Sequence, residues 1–97
     1  MTIEKKNIEI CDVAPRDGLQ SQSRMWSPDE RIKLINKLSE SGVSRIEAVS
    51  FVNPKIVPQM ADAELIMQEI DRNKNVDYVG LALNLRGVTR ALKAGVD

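Results

Sequence analysis

SRIEAVSFVNPKIVPQMADAELIMQEIDRNKNVDYVGLAL, Ser44 to Leu83, holds a complete strand–helix–strand unit. Ser44–Ser50 reads as an extended segment, and it gives way to FVNPKIVP, whose prolines Pro54 and Pro58 exclude a regular helix. Beyond Pro58, Ala63, Ile66, Met67 and Ile70 stand at i, i+3, i+4 and i+7, the stripe of a helix lying on a sheet. Asn75–Leu83 is again β-favouring, so the unit predicts two parallel strands joined by a right-handed helical crossover.

The flanks repeat the alternation. On the N-terminal side, Asn7–Val13 (NIEICDV) predicts a first strand with Ile8, Ile10 and Cys11 buried, stopped by Ala14-Pro15. Ser27-Pro28-Asp29-Glu30 is a capping box with proline at the first helical position. The helix it opens is expected over Pro28–Ser41, with Ile32, Leu34, Ile35 and Leu38 on one face and Gly42 as its stop. On the C-terminal side, Arg86–Ala94 predicts a third helix with Val88, Ala91 and Leu92 inward, ended by Gly95; Asn84 is placed to cap it, and Val96-Asp97 leads toward another strand.

Strict alternation makes the class α/β. A doubly wound sheet would carry a phosphate-binding Gly-x-Gly-x-x-Gly after its first strand; here that loop is charged instead, which favours a barrel. A (β/α)8 TIM barrel takes roughly 250 residues, so residues 1–97 are expected to be its first three βα units, the N-terminal part of a single catalytic domain with two open sheet edges and further sequence beyond Asp97.

Composition narrows the function classes. Fourteen basic and fourteen acidic residues cancel, and no stretch is strongly basic, so neither nucleic acid nor an anionic membrane surface is an expected partner. Met1–Ile10 alternates charged and apolar residues without the apolar core of a signal peptide, and the single cysteine, Cys11, cannot form an internal disulfide; both favour a cytoplasmic location. Cys11 itself is expected in the core, as are Met60, Met67 and Trp26. The chain has no histidine, which removes the commonest general base and transition-metal ligand from this stretch.

In a βα barrel the chemistry sits in the loops after the strands. Ala14-Pro15-Arg16-Asp17-Gly18-Leu19-Gln20 places a cation, a carboxylate and an amide within five residues at the mouth of the first strand. The residues alone allow either a solvated turn with a local Arg–Asp pair or part of an active site. Glu47, between Ile46 and Ala48, would suit an exposed sheet face equally well, although in a barrel the alternate face is the interior. Asn53, Lys55 and Gln59 are most simply surface residues of the loop after the second strand.

VAPRDGLQ followed by RIEAVSFVNPKIVPQMAD resembles the first two active-site segments of the 3-hydroxy-3-methylglutaryl-CoA lyase family, a metal-dependent branch of the TIM-barrel metallolyases. The resemblance extends over essentially the whole chain. It implies Asp17 as a ligand of a divalent cation, Mg²⁺ or Mn²⁺, and Arg16 as the group facing the substrate's thioester side. It implies Glu47 as a carboxylate that assists proton transfer or holds the arrangement, and Gln20 and Ser50 as substrate-binding or supporting residues. The implied reaction is cleavage of 3-hydroxy-3-methylglutaryl-CoA, or a close hydroxyacyl-CoA, to acetyl-CoA and acetoacetate, a reaction of leucine degradation, in a homodimer.

The family's His-x-His pair, its metal-binding asparagine and its later loop cysteine have no counterpart in these 97 residues, so the chain alone is expected to be inactive. The wider superfamily of isopropylmalate and homocitrate synthases and biotin-dependent carboxyltransferases resembles the chain mainly at Arg16-Asp17-Gly18 and Gln20, and supplies the enzymatic alternative. The non-enzymatic alternative is a truncated product whose open sheet edges find other chains.

Overall fold

The computed structural model describes residues 8–97. Three parallel strands, β1 (Cys11–Asp12), β2 (Arg45–Ser50) and β3 (Asp77–Leu81), lie in the order β1-β2-β3. Three helices alternate with them: α1 (Pro28–Ser39), α2 (Ala63–Glu69) and α3 (Leu85–Ala94). Sequential strands that are neighbours, each crossover containing a helix, make this the expected βα progression.

Local chemistry fixes the helix ends. The Ser27 side chain accepts from the Glu30 backbone N–H at 3.2 Å, and the Glu30 carboxylate accepts from the Ser27 N–H at 3.1 Å, closing the capping box. Gly42 and Gly95 take positive φ values of 93° and 76° after α1 and α3, where an L-side chain would be strained. Asn84 caps α3, its Oδ1 accepting from the Gly87 N–H at 2.8 Å. Beyond α3 the Asp97 N–H donates to the Tyr78 carbonyl of β3 at 2.9 Å, so the chain runs alongside β3 where the sequence leads into another strand.

The core lies between the sheet and α1 and α2. Ile46, Ala48, Val49 and Phe51 of β2 and its end, with Tyr78 of β3, pack against Ile35 of α1 and Ala63, Ile66, Met67 and Ile70 of α2. Every position of the α2 stripe is buried, and so is Met60.

Several expectations are corrected. Ile8, Ile10 and Cys11 are exposed rather than buried, because β1 pairs over two residues only and is an edge strand. Asn7, the expected start of that strand, lies outside the described residues. On α3, Ala91 is buried as expected, but Val88 and Leu92 are exposed. The helix approaches the sheet through small residues instead: Gly87 is buried, and a Cβ there would stand 3.0 Å from the Phe51 carbonyl. Trp26 is only half-buried, under the Arg24 guanidinium at 4.6 Å from its ring centroid. Arg31 is the reverse case, a cation 2% exposed on the inner face of α1, whose guanidinium donates to the Ala61 carbonyl at 2.7 Å. Burial lowers its pKa, and the Asp62 carboxylate acts against that shift.

Candidate active site

The site forms where β1 and β2 end side by side. After Asp12 the chain makes one wide helical turn, Ala14–Gly18, in which the N–H groups of Asp17 and Gly18 both donate to the Val13 carbonyl, at 2.7 and 3.2 Å. Pro15 carries no N–H and is buried at the start of this turn, and Asp12 Oδ1 accepts from the Ala14 N–H at 2.9 Å, tying the turn to the strand. An i+5 turn of this kind re-aims the side chains that follow it and is frequent at functional sites.

Strand β2 supplies the other half through an irregularity the sequence does not display. Glu47 pairs with Val79 and Val49 with Gly80, so the register shifts at Ala48. An extra residue resets the side-chain alternation. Ile46, Ala48, Val49 and Phe51 all join the core facing the helices, whereas Glu47 and Ser50, three positions apart, share the opposite face. In a regular strand they would lie on opposite faces. The exposed-face reading of Glu47 is thereby set aside.

Arg16 and Glu47 meet on that face. Arg16 Nε donates to Glu47 Oε1 at 2.8 Å, with the two side chains 18% and 16% exposed. Asp17 stands on the outer side of the same guanidinium, its Oδ1 at 3.5 Å from an Arg16 terminal nitrogen, and is 68% exposed. One Arg16 edge is therefore committed to Glu47 and one terminal nitrogen faces Asp17, while no hydrogen bond within the described residues takes up the other N–H donors of the guanidinium. Ser50 is fully buried, and its Oγ, like Gln20 Oε1, has no hydrogen-bond partner among the described residues. Buried polar atoms in that state ask for a further partner.

The structure thus brings together Arg16, Asp17 and Glu47 and leaves Gln20 and Ser50 with unused polar atoms. Asn53 and Lys55 are exposed, and the Gln59 amide donates to the Gln22 carbonyl at 3.4 Å. Sequence reasoning missed Arg31, whose signal was available: it stands four residues before Ile35 and so shares its face. Among the described residues, no three Asp, Glu, Cys or His side chains converge as a metal site. Asp17 fits as one hard oxygen ligand, and a complete coordination sphere needs donors these residues do not supply.

Residues 7–97 match the HMGL-like family. The chain belongs to the HMGL-like family. It is 47% identical over 90 residues to the mitochondrial hydroxymethylglutaryl-CoA lyase of Macaca fascicularis and 42% identical over 92 residues to the hydroxymethylglutaryl-CoA lyase YngG of Bacillus subtilis. These alignments cover 93% and 95% of this chain but 28% and 31% of those proteins, so the chain spans under a third of the relatives it matches. Among solved structures it is similar to an HMG-CoA lyase from Acinetobacter baumannii in complex with coenzyme A and 3-methylmalate, with a TM-score of 0.92 and 45% identity over 99% of this chain and 32% of that one. The HMG-CoA lyase from Brucella melitensis also gives a TM-score of 0.92, at 44% identity, covering 96% of this chain and 33% of that one. The HMGL-like fold is a TIM barrel, and the parallel β1-β2-β3 sheet with its helices is three βα units of it. Among the described residues no helix is long and apolar enough to cross a membrane.

Proposed function

We propose that the protein acts as a divalent-metal-dependent carbon–carbon lyase that cleaves 3-hydroxy-3-methylglutaryl-CoA, or a close hydroxyacyl-CoA, to acetyl-CoA and acetoacetate. The observation that carries this reading is the Arg16–Glu47 pair at 2.8 Å with Asp17 beside it, on the sheet face away from the core. The 42–47% identity to proteins named for this reaction supports it.

In the proposed reaction the tertiary hydroxyl gives up its proton, the neighbouring carbon–carbon bond breaks to leave a ketone, and the electron pair passes to the thioester as an enolate, which is then protonated. A divalent cation held in part by Asp17 would supply the polarisation that makes the hydroxyl acidic. Arg16 faces the thioester side, where its free N–H donors stabilise the charge that develops on the carbonyl oxygen. Glu47 holds the guanidinium edge-on through Nε and so fixes the direction of those donors; this makes Glu47 a positioning residue. Ser50 Oγ and Gln20 Oε1 are the groups proposed to hydrogen-bond the acyl portion or to support Arg16.

A homodimer in the cytoplasm, acting in leucine degradation, belongs to the same proposal. The test is cleavage of 3-hydroxy-3-methylglutaryl-CoA by the intact protein with and without added Mg²⁺ or Mn²⁺. Turnover that vanishes on chelation and returns with metal is the expected result; metal-independent turnover, or none with any metal, overturns the reading.

A further inference from the structure

The face of the sheet that carries Glu47 continues onto β3. Arg45 stands in register with Asp77, Glu47 with Val79 and Ser50 with Leu81, so these six residues share one face in three rows. The opposite face takes the rest: Ile46 and Tyr78 are core, and at Gly80, beside Val49, an added Cβ would meet Phe51 and Val49. Ser50 and Leu81 are the last residues of β2 and β3, and the C-terminal ends of the strands are where a TIM barrel builds its site. The Phe51 N–H donates to the Leu81 carbonyl at 2.8 Å, which holds the top row together.

The three rows differ in character. The bottom row is closed on itself, with the Arg45 guanidinium 3.6 Å from the Asp77 carboxylate and 3.8 Å from that of Glu9. Above it β2 presents Glu47 and Ser50, whereas β3 presents only Val79 and Leu81, two branched aliphatic side chains that stay partly exposed. Neighbouring strands lie about 5 Å apart, so Val79 stands one strand's width from Glu47 and Leu81 one strand's width from Ser50. Arg16 and Asp17 come to Glu47 from the other direction, from the turn after β1. The site is therefore polar on its β1 and β2 sides and aliphatic on its β3 side. A tertiary alcohol of the proposed kind sorts onto such a surface in one way. Its hydroxyl and thioester are drawn to the Asp17 and Arg16 side, and the 3-methyl group, the one substituent of that carbon without a polar atom, is drawn to the aliphatic side.

We propose that Leu81, with Val79 beneath it, is the residue that sets the size of the 3-alkyl group the enzyme accepts. The inference rests on the lyase reading above and extends it from the reaction to the acyl group. The contact is one of shape and not of charge: Leu81 moves no proton and holds no metal, so replacing it changes which thioester is cleaved and not how the bond breaks. Side chains inside a barrel also pack on one another, and a residue with that role alone costs every substrate alike.

The experiment measures kcat/KM of the intact protein, Leu81→Ala and Leu81→Val for 3-hydroxy-3-methylglutaryl-CoA and for its 3-ethyl homologue, with the dissociation constants of both thioesters and thermal melts alongside. One methylene in an apolar pocket changes kcat/KM by about 10- to 200-fold, and the unaltered protein is expected to prefer the methyl substrate by a factor in that range. Leu81→Ala is expected to lower this preference about tenfold, losing rate on the methyl substrate and gaining it on the ethyl one. Leu81→Val, which shortens the side chain by one carbon, is expected to move the preference the same way by less, and it carries the test if Leu81→Ala melts below the assay temperature. Equal losses on both thioesters, or a preference unmoved in a folded variant, overturn the assignment of Leu81 and leave the lyase reading standing. If the unaltered protein cleaves neither thioester, the lyase reading falls and the ratio of the two dissociation constants decides: a ratio shifted by the Leu81 variants keeps the aliphatic wall, and an unshifted one removes it.

Discussion

Replacing Glu47 separates two roles that a carboxylate beside an active-site arginine can play. The Arg16 Nε to Glu47 Oε1 bond is 2.8 Å long, and both side chains are more than four-fifths covered. A charge-assisted bond of this kind is worth about 1.5–3 kcal/mol, and a neutral one about 0.5–1.5 kcal/mol. Glu47→Gln keeps an amide oxygen for the cationic Nε, so the bond stays charge-assisted and only the ion-pair attraction, about 1 kcal/mol, is forfeited; kcat/KM for the thioester is expected to fall roughly fivefold. Glu47→Ala removes the acceptor altogether and is expected to lower kcat/KM roughly 10- to 160-fold. The losses should fall on kcat, because misdirected Arg16 donors fail the developing charge more than the resting substrate. Steady-state kinetics on the intact protein, with thermal melts to confirm that both variants fold, reads the ladder directly. A group that itself moves a proton gives a different pattern: glutamine cannot do so, and the rate falls by about 10² to 10⁴ in both variants. Equal and large losses in Glu47→Gln and Glu47→Ala would therefore refute the positioning argument.

Other expectations test neighbouring parts of the structure. Asp17→Asn removes the charge of the proposed metal ligand, and the affinity for Mn²⁺, followed by titration, is expected to drop at least tenfold with activity falling alongside; unchanged affinity removes Asp17 from the metal site. Gly80→Ala would set a Cβ 2.6 Å from Phe51 Cε2 and 3.3 Å from Val49 Cγ2, so chemical denaturation should show a loss of about 1–3 kcal/mol from overpacking. At the start of α1, the Glu30 pKa is lowered, first by the Ser27 backbone N–H and then by the Arg24 side chain that also donates to it. A lowered carboxylate pKa stabilises the fold above the unfolded-state value, and that contribution disappears as pH falls through the folded-state value. The melting-temperature gap between the unaltered protein and Glu30→Gln should accordingly close on acidification below about pH 4; a gap constant with pH contradicts the capping assignment.

What the sequence discloses is local, and what it withholds depends on neighbours. The Ser27 capping box, the Gly42 and Gly95 stops and the Asn84 cap are each contained within four or five residues, so their readings agree with the structure almost to the residue. The α2 stripe is legible for a related reason: a helix with the sheet on one side and solvent on the other prints its burial on the 3.6-residue period. The α3 stripe misleads because close approach to Phe51 selects Gly87 and Ala91 for the packed face, leaving the larger Leu85, Val88 and Leu92 outward. Cys11 and the isoleucines before it mislead because burial of an edge strand depends on what lies beside it, which no property of Ile8 or Ile10 encodes. Arg31 enters the core because the chain returning after β2 presents the Ala61 carbonyl, an acceptor thirty residues away in sequence.

The candidate site shows the same division at its sharpest. Arg16 and Asp17 are visible as an unusual charge pair in a turn, but nothing local says which way they point. Glu47 sits between two apolar residues in a pattern that fits either sheet face. The register shift at Ala48 removes the ambiguity: with Ile46, Ala48, Val49 and Phe51 all drawn into the core, Glu47 and Ser50 are left together on the opposite face. The wide turn after Val13 brings the Arg16 guanidinium to that same face. Two departures from regular geometry, one on each strand, thus converge on one ion pair. Deleting Ala48 would leave Glu47 and Ser50 two positions apart and still on one face by simple alternation, whereas straightening β2 with Ala48 kept would turn either Glu47 or the Ser50–Phe51 end to the wrong side. With Ala48 present, Glu47 and Ser50 share a face only through the register shift, and Arg16 reaches Glu47 only through the wide turn that follows β1; the proposed chemistry at Arg16 and its neighbours rests on that geometry.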